Sequence, residues 1–151
     1  MTKKTKVVAG CVVLLLIACG LIWWFMPVYF LREVEPEEVA TIIIFNGNNG
    51  DEFEVTKPDD ISYIVNSIKQ ITLRKDNFTS GVDYYYILTV INENGEEIDS
   101  FGIQNNYFMR RDDAFYRCNG ELNIVAEYLE NLEAIQFPDW NKDPDFLNPH
   151  Y

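Results

Sequence analysis

The chain has 151 residues, with 24 acidic and 12 basic side chains and a formal net charge of −12. Apolar residues make up 48% and aromatic residues 15% of it, which predicts a folded domain rather than a disordered segment. All 24 acidic residues follow position 32, so residues 33–151 hold eight basic against 24 acidic side chains, a formal charge of −16. This field repels nucleic-acid phosphates and anionic lipid headgroups, and we expect no nucleic-acid partner.

The N-terminal part predicts a membrane anchor. Residues 7–31 contain no charged side chain and are long enough to cross a bilayer as one helix. Trp23, Trp24 and Tyr29 lie toward its distal end, as expected for side chains at the headgroup level. The three lysines of residues 1–6 place this short basic tail in the cytoplasm. We therefore expect a single-pass cell-membrane protein with its C-terminal domain outside.

Two kinds of processing compete with an uncleaved signal anchor. Residues 16–19 read Leu-Ile-Ala-Cys after a basic and an apolar region, which resembles the lipobox of bacterial lipoproteins and makes Cys19 the candidate for lipidation. A cleaved signal peptide is the other alternative. The apolar run continues to Met26, whereas lipoproteins usually turn polar soon after the lipidated cysteine. The only cysteine of the domain, Cys118, is expected to be a small buried side chain.

The first half of the domain predicts a hairpin and a helix. Residues 32–38 are acidic and contain a proline, and we expect an unpacked stalk. Residues 39–45 and 52–56 have strand character, with an Asn- and Gly-rich turn between them. Apolar residues then recur at helical spacing. They are Ile61, Ile64, Val65, Ile68 and Ile71.

The second half predicts a β-meander followed by a helix. Residues 82–93 alternate, and Asn94-Gly95 is a strong signal for a two-residue hairpin turn to a strand over 96–104. Two more short strands are expected over 107–111 and 114–118. The helix after Asn119 is expected to bury Leu122, Val125, Ala126, Leu129 and Leu132 and to expose Glu127, Glu130 and Glu133.

This order of elements predicts the fold class. Strands in runs, interrupted by two helices without regular βαβ alternation, indicate an α+β domain over residues 39–151. We expect an antiparallel sheet of about five to six strands with both helices packed on one face. One N-terminal transmembrane helix precedes it.

The chain lacks the residues that most catalytic mechanisms require. The single histidine, His150, is next to last in the chain, so a hydrolytic triad and a zinc site are not expected. No cofactor motif is present in the sequence. Carboxylates are abundant, which leaves a small carboxylate-dependent hydrolase as an alternative to surface charge.

The C-terminal segment contains a weak candidate for a calcium loop. Oxygen-bearing side chains alternate there as in the first half of an EF-hand loop, but a proline replaces the turn glycine and a histidine replaces the final glutamate. The alternative is an acidic, Pro-rich surface loop. The four candidate ligands are Asp139, Asn141, Asp143 and Asp145.

Aromatic residues cluster on the predicted strands. Alternation predicts that some of them lie on the sheet face opposite the helices, where they would form a platform for a partner. Cross-strand packing is the alternative. The candidate binding residues are Tyr85, Tyr107 and Tyr116.

A basic tail, one apolar span or lipobox, an acidic stalk and a small αβ domain resemble the membrane-anchored and lipoprotein-type extracytoplasmic domains of Gram-positive bacteria, most of which are functionally uncharacterised. The resemblance is one of organisation and assigns no functional residue. We expect a non-catalytic, membrane-tethered interaction domain with a protein or envelope partner. The alternatives are a calcium- or ligand-binding envelope sensor or accessory lipoprotein and, second, the small hydrolase.

Overall fold

The computed structural model describes residues 3–76, 85–119 and 121–138, with side chains from Val8 onward. The described part has the predicted α+β architecture. Its elements in chain order are α1 (Lys3–Phe25), a 3-10 helix (Pro36–Glu38), β1 (Val39–Asn46), β2 (Glu52–Val55), α2 (Pro58–Lys69), β3 (Arg74–Asp76), β4 (Tyr86–Asn92), β5 (Glu97–Asn105), β6 (Phe108–Arg111), β7 (Ala114–Arg117) and α3 (Leu122–Gln136).

All seven strands form one antiparallel sheet in the order β2-β1-β4-β5-β6-β7-β3. The hairpin of β1 and β2 joins the meander through β1, whose Ile44 pairs with Leu88 of β4. A tight hairpin joins β4 to β5 as predicted, but its loop is not the two-residue turn: the backbone of Gly95 donates to the carbonyl of Asn92 at 3.0 Å, that of Asn92 donates to the carbonyl of Glu96 at 2.9 Å, and only Gly95 of the Asn-Gly pair has a positive φ, of 79°. Glycine takes such an angle without strain, which explains the residue at position 95.

The sheet has one strand more than the upper end of the predicted range. The additional strand is β3, which has three residues and pairs with β7 at the far edge. It joins the sheet across about 40 positions of sequence and lacks an alternating apolar pattern, so local signals are not sufficient to identify it. The 3-10 helix is a second element that the sequence pattern did not predict.

Helices α2 and α3 pack on a single face of the sheet and form one hydrophobic core with it. Alternate residues of β1 and β4, such as Ile42 and Leu88, are fully buried on that face. The predicted stripes of α2 and α3 are confirmed up to Leu129, and Leu132 packs at the margin. Glu133, which was expected to be exposed, is only 5% exposed. It lies four residues after Leu129 and therefore on the same side of the helix.

Helix α1 contains the apolar stretch Val8–Phe25, which is long and apolar enough to cross a membrane and has no buried residue. A signal sequence has the same properties, so the helix alone indicates membrane association or export. Cys19 lies in the C-terminal half of this helix and is exposed.

The residues after α1 belong to the domain rather than to the anchor. The helix ends at Phe25, two residues before Pro27, where a proline lets a helix end at low cost, so it does not cover the whole predicted anchor of residues 7–31. Val28 and Leu73 exchange two backbone hydrogen bonds of 2.8 and 3.0 Å. Phe30 is completely buried, with the guanidinium carbon of Arg111 3.7 Å from its ring centroid. Apolar composition predicted a span up to residue 31, but the same composition also suits a core.

Residues 32–38 do not form the free stalk that their acidic composition predicted. The Lys69 ammonium donates a 2.9 Å hydrogen bond to the carbonyl of Val34 and lies 3.2 Å from the Glu35 carboxylate. Val34 is partly buried against the core. One lysine near the end of α2 thus holds the acidic segment against the domain.

Candidate functional site

A buried carboxylate joins α3 to the sheet. Glu133 accepts hydrogen bonds from the amide of Asn46 at 2.8 Å to each oxygen, from the amide of Asn49 at 2.9 Å, and from the hydroxyl of Tyr86 at 2.8 Å. Asn46 ends β1, Asn49 lies in the following turn and Tyr86 begins β4. Three donors from two segments distant in sequence therefore converge on a single side chain, and we call this arrangement the Glu133 network.

All three donors of the Glu133 network are neutral. No lysine or arginine pairs with Glu133 among the residues that the structure describes. Burial, followed by the hydrogen bond to Glu133, raises the pKa of Tyr86 above its ordinary value. The Tyr86 hydroxyl therefore remains protonated and continues to donate. A buried carboxylate without a cation depends on such donors, because leaving it without them costs more than an ordinary lost hydrogen bond.

Hydrogen bonds within the turn between β1 and β2 orient the asparagine donors of the Glu133 network. The side-chain oxygen of Asn46 accepts from the backbone of Asn48 at 2.9 Å, and that of Asn49 accepts from the backbone of Asp51 at 2.8 Å. Gly50 takes a φ of 82° between them. Asparagine suits both tasks, because its oxygen stabilises the turn while its NH2 group remains free to donate to Glu133.

A cleft of about 500 Å³ opens between α3, Tyr85 just before β4 and the turn that joins β5 to β6. We call it the Tyr85 cleft. The helix supplies residues spaced so that they share one face, and the small side chain of Ala126 leaves space between the walls. The lining residues are Tyr85, Asn105, Asn106, Tyr107, Asn123, Ala126, Glu127 and Glu130.

The far wall of the Tyr85 cleft is a well-anchored turn. The side-chain oxygen of Asn105 accepts from the backbone of Tyr107 at 2.8 Å and from that of Phe108 at 3.1 Å. The backbone of Cys118 donates to the carbonyl of Tyr107 at 2.8 Å. The Tyr107 ring is nevertheless 56% exposed, so a fixed backbone carries an accessible aromatic ring.

Chemically, the Tyr85 cleft combines aromatic rings, amides and carboxylates. Tyr85 is 39% exposed, and Glu127 and Glu130 lie one turn apart on the exposed side of α3. None of the lining residues is basic. Such a surface suits a cationic group, which tyrosine faces and carboxylates both attract, while the amides can pair with a peptide backbone.

The three predicted binding tyrosines are in two different places. Tyr85 and Tyr107 share the Tyr85 cleft, beside helix α3 rather than on the open face opposite the helices. Tyr116 lies on the core face, partly buried, with its ring centroid 5.1 Å from that of Phe30 in an edge-to-face arrangement. Tyr116 therefore contributes to packing, as the cross-strand alternative stated.

Two phenylalanines occupy the opposite face of the sheet. Phe108 lies under the guanidinium of Arg117, 5.1 Å from the ring centroid, and Phe115 lies under that of Arg110 at 5.5 Å. Their rings are partly buried. Cation–π pairs across β6 and β7 thus cover the aromatic surface that alternation predicted there.

The predicted calcium loop, Asp139 to Asp145, and His150 lie outside the described residues. Within the described part, no group of three or more Asp, Glu, His or Cys residues is arranged to hold a metal ion.

Sequence reasoning missed the Glu133 network, although one signal was present: Glu133 continues the i, i+4 spacing of the buried stripe.

No protein-family model, curated protein or solved structure matches the chain.

Proposed function

We propose that the chain is a non-catalytic interaction domain, tethered to the outer face of a cell membrane by α1, that binds a basic segment of an envelope protein in the Tyr85 cleft. The observation that carries the proposal is the convergence of two exposed tyrosines and two glutamates on one cleft whose lining contains no basic residue. A lysine or arginine side chain can contact both the ring faces and the carboxylates.

The charge of the domain supports a basic partner. Residues 33–151 hold 24 acidic and eight basic side chains, which attract a cationic partner from a distance and accelerate its association. The exposed tyrosine rings then add contact area close to the bound segment. Aromatic residues of this kind often provide most of the binding energy at an interface.

The membrane tether rests on three features. The stretch Val8–Phe25 is long enough to span a bilayer, Trp23 and Trp24 mark its distal end, and the three lysines of residues 1–6 favour a cytoplasmic N-terminus. Because Val28 already pairs with Leu73, almost no linker separates the membrane span from the domain. The Tyr85 cleft would therefore meet partners close to that surface.

Site-specific photo-crosslinking in native membranes tests the proposal. A benzophenone amino acid at Tyr107 is expected to capture one partner, whereas the same probe at Tyr63, an exposed tyrosine on α2, is not. The double variant Glu127→Gln/Glu130→Gln should lower the yield at Tyr107, with Glu52→Gln as the control for an exposed carboxylate elsewhere. Identical captured proteins at both positions, or none at either, would contradict the proposal.

A further inference from the structure

A second cavity lies where α1 meets the edge of the sheet. It has a volume of about 380 Å³, and we call it the Trp24 pocket. The last turn of α1 forms one side, and the edge strand β3 with the end of β7 forms the other. The lining residues are Trp24, Phe25, Thr72, Arg74, Lys75, Asp76, Arg117 and Asn119.

The Trp24 pocket is positively charged, although the domain is strongly acidic. It contains three basic residues and one acidic residue, and the acidic one, Asp76, is paired with Arg117 at 2.9 Å. Neither Arg74 nor Lys75 forms a salt bridge within the described part of the chain. The Lys75 ammonium lies 5.6 Å from the centroid of the Trp24 ring. Two cations without a salt bridge thus line one pocket at one end of a domain of opposite charge.

The position of the Trp24 pocket relative to a membrane follows from the residues around it. Trp24 and Phe25 end the apolar stretch Val8–Phe25, and tryptophan prefers the headgroup level of a bilayer. The two hydrogen bonds between Val28 and Leu73 hold β3 directly beyond the end of α1. With α1 across a membrane, Arg74 and Lys75 therefore lie at the level of the lipid phosphates.

We infer that the Trp24 pocket binds the headgroup of an anionic phospholipid, which rests on the membrane tether of the proposed function but not on the Tyr85 cleft. The phosphodiester accepts hydrogen bonds from Arg74 and Lys75, and the glycerol and upper acyl chain contact Trp24 and Phe25. The acidic domain otherwise repels anionic lipids, so this cluster supplies the local attraction that allows it to lie close to the membrane.

Charged side chains on an edge strand also prevent unwanted strand pairing, a role that needs charge but no lipid preference. The experiment therefore measures lipid selectivity. The full chain is inserted into nanodiscs with equal amounts of phosphatidylglycerol and phosphatidylcholine, and native mass spectrometry counts the lipids that it retains. The wild type should retain phosphatidylglycerol in preference, and Arg74→Gln and Lys75→Gln should each lower the preference about fivefold.

Two controls make the result specific. Lys57→Gln removes an exposed lysine at the start of α2 and should leave the preference unchanged, and Arg74→Lys should retain most of it. Equal retention of both lipids by the wild type, or the same loss in Lys57→Gln as in Arg74→Gln, would overturn the inference while leaving the tether intact. Release of the chain from vesicles by alkaline carbonate would overturn both the tether and the lipid site.

Discussion

The hydroxyl of Tyr86 donates a 2.8 Å hydrogen bond to Glu133, across 47 positions of sequence and inside the core. Tyr86 follows Tyr85 directly, and Glu133 lies one turn beyond Glu130, so this bond connects the two walls of the Tyr85 cleft. The spacing of those walls therefore depends on a buried polar contact. Binding and stability are expected to be coupled through it.

Replacing Glu133 by Gln should destabilise the domain by about 1–3 kcal/mol, because an amide presents its own NH2 group to donors that need an acceptor. The free energy of unfolding of the full chain in detergent, measured by urea denaturation, checks this. The matched control is Glu127→Gln on the exposed side of α3, which should change stability by less than about 0.5 kcal/mol. Equal effects of the two substitutions would show that the Glu133 network does not contribute to stability.

Stability should fall at alkaline pH through Tyr128. Its hydroxyl donates a 2.6 Å hydrogen bond to Asp60. Burial and this bond raise the pKa of Tyr128 from the ordinary value of 10.0 to about 12 in the folded chain. The raised value favours the folded state below pH 10, where both states are protonated. That contribution is lost as the pH rises from 10 to 12, because only the unfolded chain releases the proton.

The variant Tyr128→Phe tests this assignment by urea denaturation at pH 8 and pH 11. At pH 8 it should be less stable than the wild type by about 1–2 kcal/mol, the cost of leaving Asp60 without its donor. At pH 11 the difference should shrink, since the variant has no proton to lose at this position. A difference that stays constant between the two pH values would exclude Tyr128 as the titrating group.

Replacing Phe30 tests whether this residue belongs to the core of the domain or to the membrane span. Because it is fully buried and packs against Phe101 and Tyr116, Phe30→Ala should lower the unfolding free energy of the domain by about 3–5 kcal/mol. Phe25→Ala, on the exposed end of α1, should leave domain unfolding unchanged. The same loss for both variants would place the domain boundary before Phe25.

Periodicity was sufficient for the elements whose pattern is local. Spacing alone determines which side of a helix is buried, so the stripe of α2 was predicted correctly. The pairing of β4 with β5 was also predicted correctly, although the loop at Asn94 and Gly95 is one residue longer than the predicted turn. The α+β class follows from the order of such elements. The exact strand number does not, since β3 is identified only by its distant partner β7.

Contacts between distant segments explain the remaining differences. Phe30 and Leu31 have the composition of a membrane span, and only their packing in the core assigns them to the domain. Glu133 has the residue type of an exposed position but the spacing of a buried one. The donors on Asn46, Asn49 and Tyr86 make its burial possible, and none is near it in sequence. Two of the three predicted tyrosines share a cleft because helix α3, which is distant from both in sequence, forms the second wall of that cleft.

Retention of residues 1–18 distinguishes the signal anchor from a lipoprotein. An uncleaved anchor predicts that the mature chain in membranes has the full intact mass, with an unmodified Cys19. Lipoprotein processing would remove residues 1–18 and add a diacylglycerol to Cys19. Intact-mass measurement of the wild type and of Cys19→Ala separates the two cases, because processing of a lipoprotein requires the cysteine whereas an anchor is unaffected by its loss.

The three predicted tyrosines should differ in their effect on stability. Tyr107→Ser and Tyr85→Ser remove exposed rings and should change the unfolding free energy by less than about 1 kcal/mol. Tyr85→Ser should also lower the crosslinking yield of the probe at Tyr107. Tyr116→Ser removes a ring packed against Phe30 and should cost about 2–4 kcal/mol. Urea denaturation of the three variants compares them directly. Losses of several kcal/mol at Tyr107 would assign that ring to folding and remove it from the binding surface.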